Sequence, residues 1–203
     1  MQFLNLENIA KSQDSDIEYH PLTPFLPGNC KVLFLGSFPP QRKRWCIDFF
    51  YPNFINDHWR IEGLIFHNDK NHFVDTDNKR FKLSEIVDFC NDKGIGFYDT
   101  SEAVRRLKDN ASDKFLEIVK ITDINKLIAN LPQLKVIAVT GEKATENICQ
   151  YFGMVGIKVG ENCQLPDKKI HICRLPSSSR AYPMRIENKA DEYRKMFQFA
   201  EIL

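Results

Sequence analysis

The sequence predicts an α/β fold: a three-layer α/β/α sandwich around a central, mainly parallel sheet of four to five strands. Two observations carry that expectation. Short apolar runs closing on glycine, proline or a polar residue alternate with stretches whose apolar residues keep helical spacing. The 203 residues, 43% hydrophobic and 27% charged, suit one domain over 1–203 with a sizeable core, entered through an irregular lead-in over 1–30.

In chain order, 31–35 is an apolar run ending at Gly36 and reads as a buried strand. Asn68 to Lys82 is polar and reads as an exposed loop. Leu83, Ile86, Val87 and Cys90 keep helical spacing and stop at Gly94. A second strand is expected over 95–98 and a short helix capped by Thr122 beyond it. A third strand covers 135–139, followed by a helix over 141–152. An edge strand is expected over 155–159, and 169–173 completes the set. Ala190, Tyr193, Met196 and Phe197 mark the last helix. Alternating strands and helices imply a parallel sheet covered on both faces. Ligands of such sheets sit beyond the carboxyl ends of the strands. Four segments should therefore meet: 36–41, 99–112, 140–143 and 175–182.

Composition excludes several classes. The net charge of +1 announces no global field, so a nucleic-acid site must be a local patch. Six cysteines, at 30, 46, 90, 149, 163 and 173, include no CxxC pair. That argues against a zinc ribbon or an iron–sulfur cluster and for reduced thiols in a cytoplasmic protein. No basic segment followed by an apolar core opens the chain, and no apolar stretch is long enough to span a bilayer.

The four segments hold the chemistry. Gly36-Ser37-Phe38-Pro39-Pro40 is a stiff loop whose glycine lets backbone approach a ligand; alone it is a turn. Arg42-Lys43-Arg44, Phe49-Phe50-Tyr51 and Asn56-Asp57-His58-Trp59-Arg60 mix cations for phosphates with aromatics for bases. Alone they read as a solvated turn followed by core aromatics. Asp99 reads as a helix cap after a strand. Thr140-Gly141-Glu142-Lys143 lacks the spacing of a phosphate loop. Pro176-Ser177-Ser178-Ser179-Arg180 offers hydroxyls, amides and a cation that suit phosphates, against the alternative of a flexible polar loop. A nucleophilic serine would need a base, and none of the five histidines is an obvious partner.

Taken together and in this order, these segments resemble the uracil-DNA glycosylase superfamily over roughly 31–197. They are most similar to its hypoxanthine-DNA and thymine-DNA glycosylase branches, whose motifs run GS-x-P-G, paired aromatics, N-x-F-W-R and a Pro-Ser-rich loop. The resemblance implies a monofunctional base-excision repair glycosylase that needs no metal or other cofactor. It would act as a monomer on DNA holding uracil, mismatched thymine or hypoxanthine. By position, Asn56 would hold the water, amides at Ser37 and Phe38 would meet a base carbonyl, and Phe50 or Tyr51 would stack the flipped base. Asp99 would read its edge. Ser177, Ser178, Ser179 and Arg180, with Arg42 and Lys43, would grip DNA. The chain departs from the pattern at Phe38, where mismatch-type members carry a catalytic Asn, and at Pro40, Leu175, Arg180 and Tyr182. Without a histidine at 175 a slower enzyme is expected. The alternatives are a DNA-binding module that cuts nothing and a hydrolase of free nucleosides.

Overall fold

The computed structural model describes residues 16–108, 113–166 and 168–203. In chain order the strands and helices are β1 (Ile17–Tyr19), β2 (Val32–Gly36), α1 (His58–His67), β3 (Val74–Asp75), β4 (Arg80–Phe81), α2 (Leu83–Lys93) and β5 (Ile95–Asp99). There follow β6 (Ser101–Arg106), β7 (Leu116–Ile121), α3 (Ile124–Ile128), β8 (Val136–Thr140), α4 (Glu142–Phe152), β9 (Asn162–Gln164), β10 (His171–Leu175) and α5 (Ile186–Phe199).

The main sheet has the order β5-β2-β8-β10-β9. Its first three pairings are parallel, and β9 runs antiparallel at one edge. Val32 to Leu35 and Val136 to Val139 are wholly buried, which explains why these strands read as continuous apolar runs without alternation. Phe34 stacks on Phe97 of the neighbouring strand at 5.4 Å, and Tyr193 and Phe197 of α5 close over it.

Helix ends follow the local chemistry. α2 stops where Gly94 takes a left-handed conformation (φ 68°) and its N–H returns to the Cys90 carbonyl. A side chain there would drive a Cβ to 2.3 Å from the Asn29 carbonyl oxygen. α3 is capped by Asp123, whose carboxylate accepts from the Lys126 N–H. The expected cap, Thr122, is buried and instead donates its hydroxyl to the Asp99 carbonyl at 2.7 Å.

Four further expectations are corrected. The edge strand lies at Asn162–Gln164, not 155–159, because its partner is β10 in antiparallel register rather than a continuation of α4. Asp99 caps no helix: the chain runs on into β6, which pairs with β7 and β1 in a second, antiparallel sheet. The lead-in is therefore structured from Ile17, and Phe25 forms an antiparallel bridge with Phe97 on the outer edge of β5. Residues 68–82, read as a loop, contain the β3–β4 hairpin and bury Phe73 and Phe81. Residues 1–15 of the lead-in, and 109–112 of the segment expected at the strand ends, lie outside the described residues.

Candidate functional site

The parallel register sets four strand ends side by side. Gly36 pairs with Asp99 and Leu175 with Thr140, and Leu35 pairs with Val139 one step before the tips. Ser37, Thr100, Gly141 and Pro176 continue the chain from those tips.

Against this row stands the loop before α1. Asn56 forms an antiparallel bridge with Ser179, and the Asp57 N–H donates to the Ser178 carbonyl at 3.0 Å. The segment around 56 and the serine strap at 177–179 are thus one continuous wall. Asn56 is half-buried, and its Oδ1 accepts from the His58 N–H at 2.9 Å, closing the turn that starts α1. Within the strap Ser177 and Ser179 accept backbone N–H groups from Ser179 and Ala181, while Ser178 is buried. Lys189 of α5 is buried and donates its ammonium to the Ser179 carbonyl at 2.7 Å. Burial pushes that ammonium below its ordinary pKa, with Asp57 opposing. Arg180 is exposed and pairs through Nε with Asp57.

The aromatics divide. Phe50 is buried and stacks on Phe97 at 5.7 Å, so that face is already covered. Tyr51 is half-buried with a positive φ of 50°, an uncommon conformation for a bulky residue. One ring face lies on His58 at 3.8 Å, and its hydroxyl meets Thr140 Oγ1 at 2.9 Å, at the tip of β8. Phe38 is buried with Val104 and Leu116 in a small cluster beside the second sheet. Trp59 is wholly buried, and Arg60 donates to the carbonyls of Phe54 and Asn56. Both therefore hold the loop. Leu175 is buried in β10.

Arg42 is not at the strand tips. It pairs with Asp48 at 2.6 Å, lies over Trp45, and lines a separate open cleft of about 850 Å³ with Asp75, Arg80 and Glu85. Lys43 sits in the same short 3-10 turn, Arg42–Arg44.

The residue that the sequence reading missed is His20. Its Nε2 lies 2.8 Å from Asp99 Oδ2, and its Nδ1 lies 2.8 Å from the Leu22 carbonyl. Its ring packs on Tyr98 at 4.6 Å and edge-on to Phe38 at 5.4 Å. No local pattern marks it, because its partner is 79 residues away. A second carboxyl, Asp113, is hydrogen-bonded by Ser37. Burial raises its pKa; Ser37 opposes, Asp99 adds to the rise, and Arg106 and Lys143 lower it.

One further pair lies beneath Tyr51. His58 Nε2 and Glu62 Oε1 stand 3.6 Å apart, both wholly buried, and neither side chain makes a hydrogen bond. Burial drives His58 well below and Glu62 well above their ordinary pKa values, which favours the neutral form of each. Among the described residues no His, Cys, Asp and Glu cluster could hold a metal, and no helix is long and apolar enough to cross a membrane.

No protein-family model matches the chain, and no curated protein does. A solved structure does: the solution NMR structure of a candidate uracil DNA glycosylase from Methanosarcina acetivorans. It aligns with a TM-score of 0.59 and 23% identity over 91% of this chain and 99% of that one. The two share a fold.

Proposed function

We propose that the chain is a DNA glycosylase that hydrolyses the bond between deoxyribose and a damaged or deaminated base: uracil, thymine opposite guanine, or hypoxanthine. The observation that carries the reading is the Asn56–Ser179 bridge, which sets an amide side chain and a serine strap in one wall beside the carboxyl ends of a parallel sheet. The shared fold and the name of the Methanosarcina protein support it.

A base inside a duplex shields its glycosidic bond, so the nucleotide must swing out. The strap would take the phosphates flanking it, through Ser177, Ser179 and the backbone amides, with Arg180 beside them. Tyr51 would cover the everted base with its second face. Amides at Ser37 and Phe38 would meet the charge growing on a base carbonyl, which is the largest lever available to such a reaction.

A second reading, a module that grips DNA without cutting, is favoured by one observation: the Asn56 carbonyl is already held by the His58 N–H. Duplexes and single strands carrying each base, incubated with the protein and then cleaved at abasic sites, separate the two. Excision of at least one base supports the glycosylase; bound but uncut DNA supports the module. Asn56→Ala, which removes the amide, should bind and not excise, whereas full excision would remove Asn56 from the reaction.

A further inference from the structure

Resting on the glycosylase reading, we propose that Asp99 is the catalytic base that takes the proton of the attacking water and that His20 is its positioning residue. Four observations converge. Asp99 closes β5 directly beside Gly36, among the strand ends. His20 fixes Oδ2 at 2.8 Å. Oδ1 stands over Gly36, where an added Cβ would come within 2.4 Å, so only glycine leaves that oxygen its place. Asn56 can orient a water through its amide, whose Oδ1 accepts from the His58 N–H, but an amide cannot take the water's proton at neutral pH.

The hydrogen bonds also fix which way the ring's donor points. A carboxylate offers only acceptors, so Nε2 carries the proton that faces Asp99. Nδ1 then either accepts from the Leu22 N–H at 3.2 Å, in the neutral ring, or donates to the Leu22 carbonyl, in the charged ring. Either way the ring is clamped at both nitrogens and its donor aims at Oδ2. The His20 side chain is 2% exposed, which keeps bulk water out of that contact.

In the reaction the water oxygen bonds to C1′ as the bond to the base nitrogen breaks. The bonding pair leaves with the base. Asp99 Oδ1 takes the water's proton and returns it to solvent, and the departing base takes one from solvent. The other titratable groups that interact electrostatically with this carboxyl are Asp113, Tyr51 and Tyr98, and Arg106 acts on Asp113 in turn.

The test is single-turnover excision of whichever base the wild-type chain releases, followed across pH. Asp99→Asn should slow excision by about a hundredfold or more while leaving duplex affinity within about threefold. His20→Phe should move the acid limb of the pH–rate profile to higher pH, because the carboxylate loses its donor. His20→Gln should move it part of the way back. Unchanged excision by Asp99→Asn overturns the inference and leaves the glycosylase reading standing. If that variant does not fold, an acid limb unmoved by His20→Phe overturns it instead. A wild-type chain that releases no base overturns both.

Discussion

Arg180 Nε lies 2.8 Å from Asp57 Oδ1, a contact that joins the tip of the serine strap to the start of α1 across 123 residues of chain. The guanidinium is half exposed, so the pair shares its charge with whatever approaches from solvent. Arg180→Ala should weaken DNA binding and reduce the salt slope by about one. Asp57→Asn should do the reverse, since it releases the cation. Affinities measured at low and moderate salt check both; slopes unchanged in both variants mean that Arg180 meets no phosphate.

Lys189→Met removes the buried ammonium beneath the strap and leaves the Ser179 carbonyl without that donor. A hydrogen bond from a charged group contributes on the order of 1.5–3 kcal/mol, and methionine refills the stem's volume. The expected result is a loss of that order in denaturant unfolding, with weaker DNA binding. Wild-type stability and affinity would mean the strap holds without it.

Gly36→Ala places a methyl 2.4 Å from Asp99 Oδ1. Overpacking of this kind costs about 1–3 kcal/mol. The carboxyl must rotate away, so excision should drop further than stability does. Excision equal to wild type in a folded Gly36→Ala chain would show that Asp99 need not stand there.

Glu62→Gln tests the buried pair under Tyr51. Glu62 has a folded pKa above its unfolded value of 4.5, so its contribution is complete below that pH and is lost as pH rises. His58 has a folded pKa below 6.5, so its contribution is lost as pH falls beneath that value. Glu62→Gln should therefore match wild type near about pH 4 and gain on the order of 1–3 kcal/mol by about pH 8. Parallel stability curves across that range would mean Glu62 does not titrate in this window.

The four central strands were legible because burial on both faces demands unbroken apolar runs, as in Val32 to Leu35 and Val136 to Val139. The end of α2 was legible because Gly94 alone suits its left-handed turn. The second sheet was not. β6 carries Glu102, Arg105 and Arg106 on half-exposed positions and β7 carries Glu117 and Lys120 on exposed ones, and a register shift within β6 breaks the alternation that would reveal a strand. Asp99 was marked by its place at a strand end, but His20 was not, since its partner is distant in sequence and its own neighbours have no period. Thr122 misled for a related reason: its hydroxyl is spent on the Asp99 carbonyl, and the next residue caps the helix.

The bridge between Phe25 and Phe97 makes the stretch that bears His20 also the guard of the outermost parallel strand. An open strand edge recruits other chains. A molecule nicked between Tyr19 and Phe25 would forfeit its proton acceptor's clamp and bare a sticky flank in one event. Damaged copies would then leave solution as aggregates rather than linger on DNA as inert competitors.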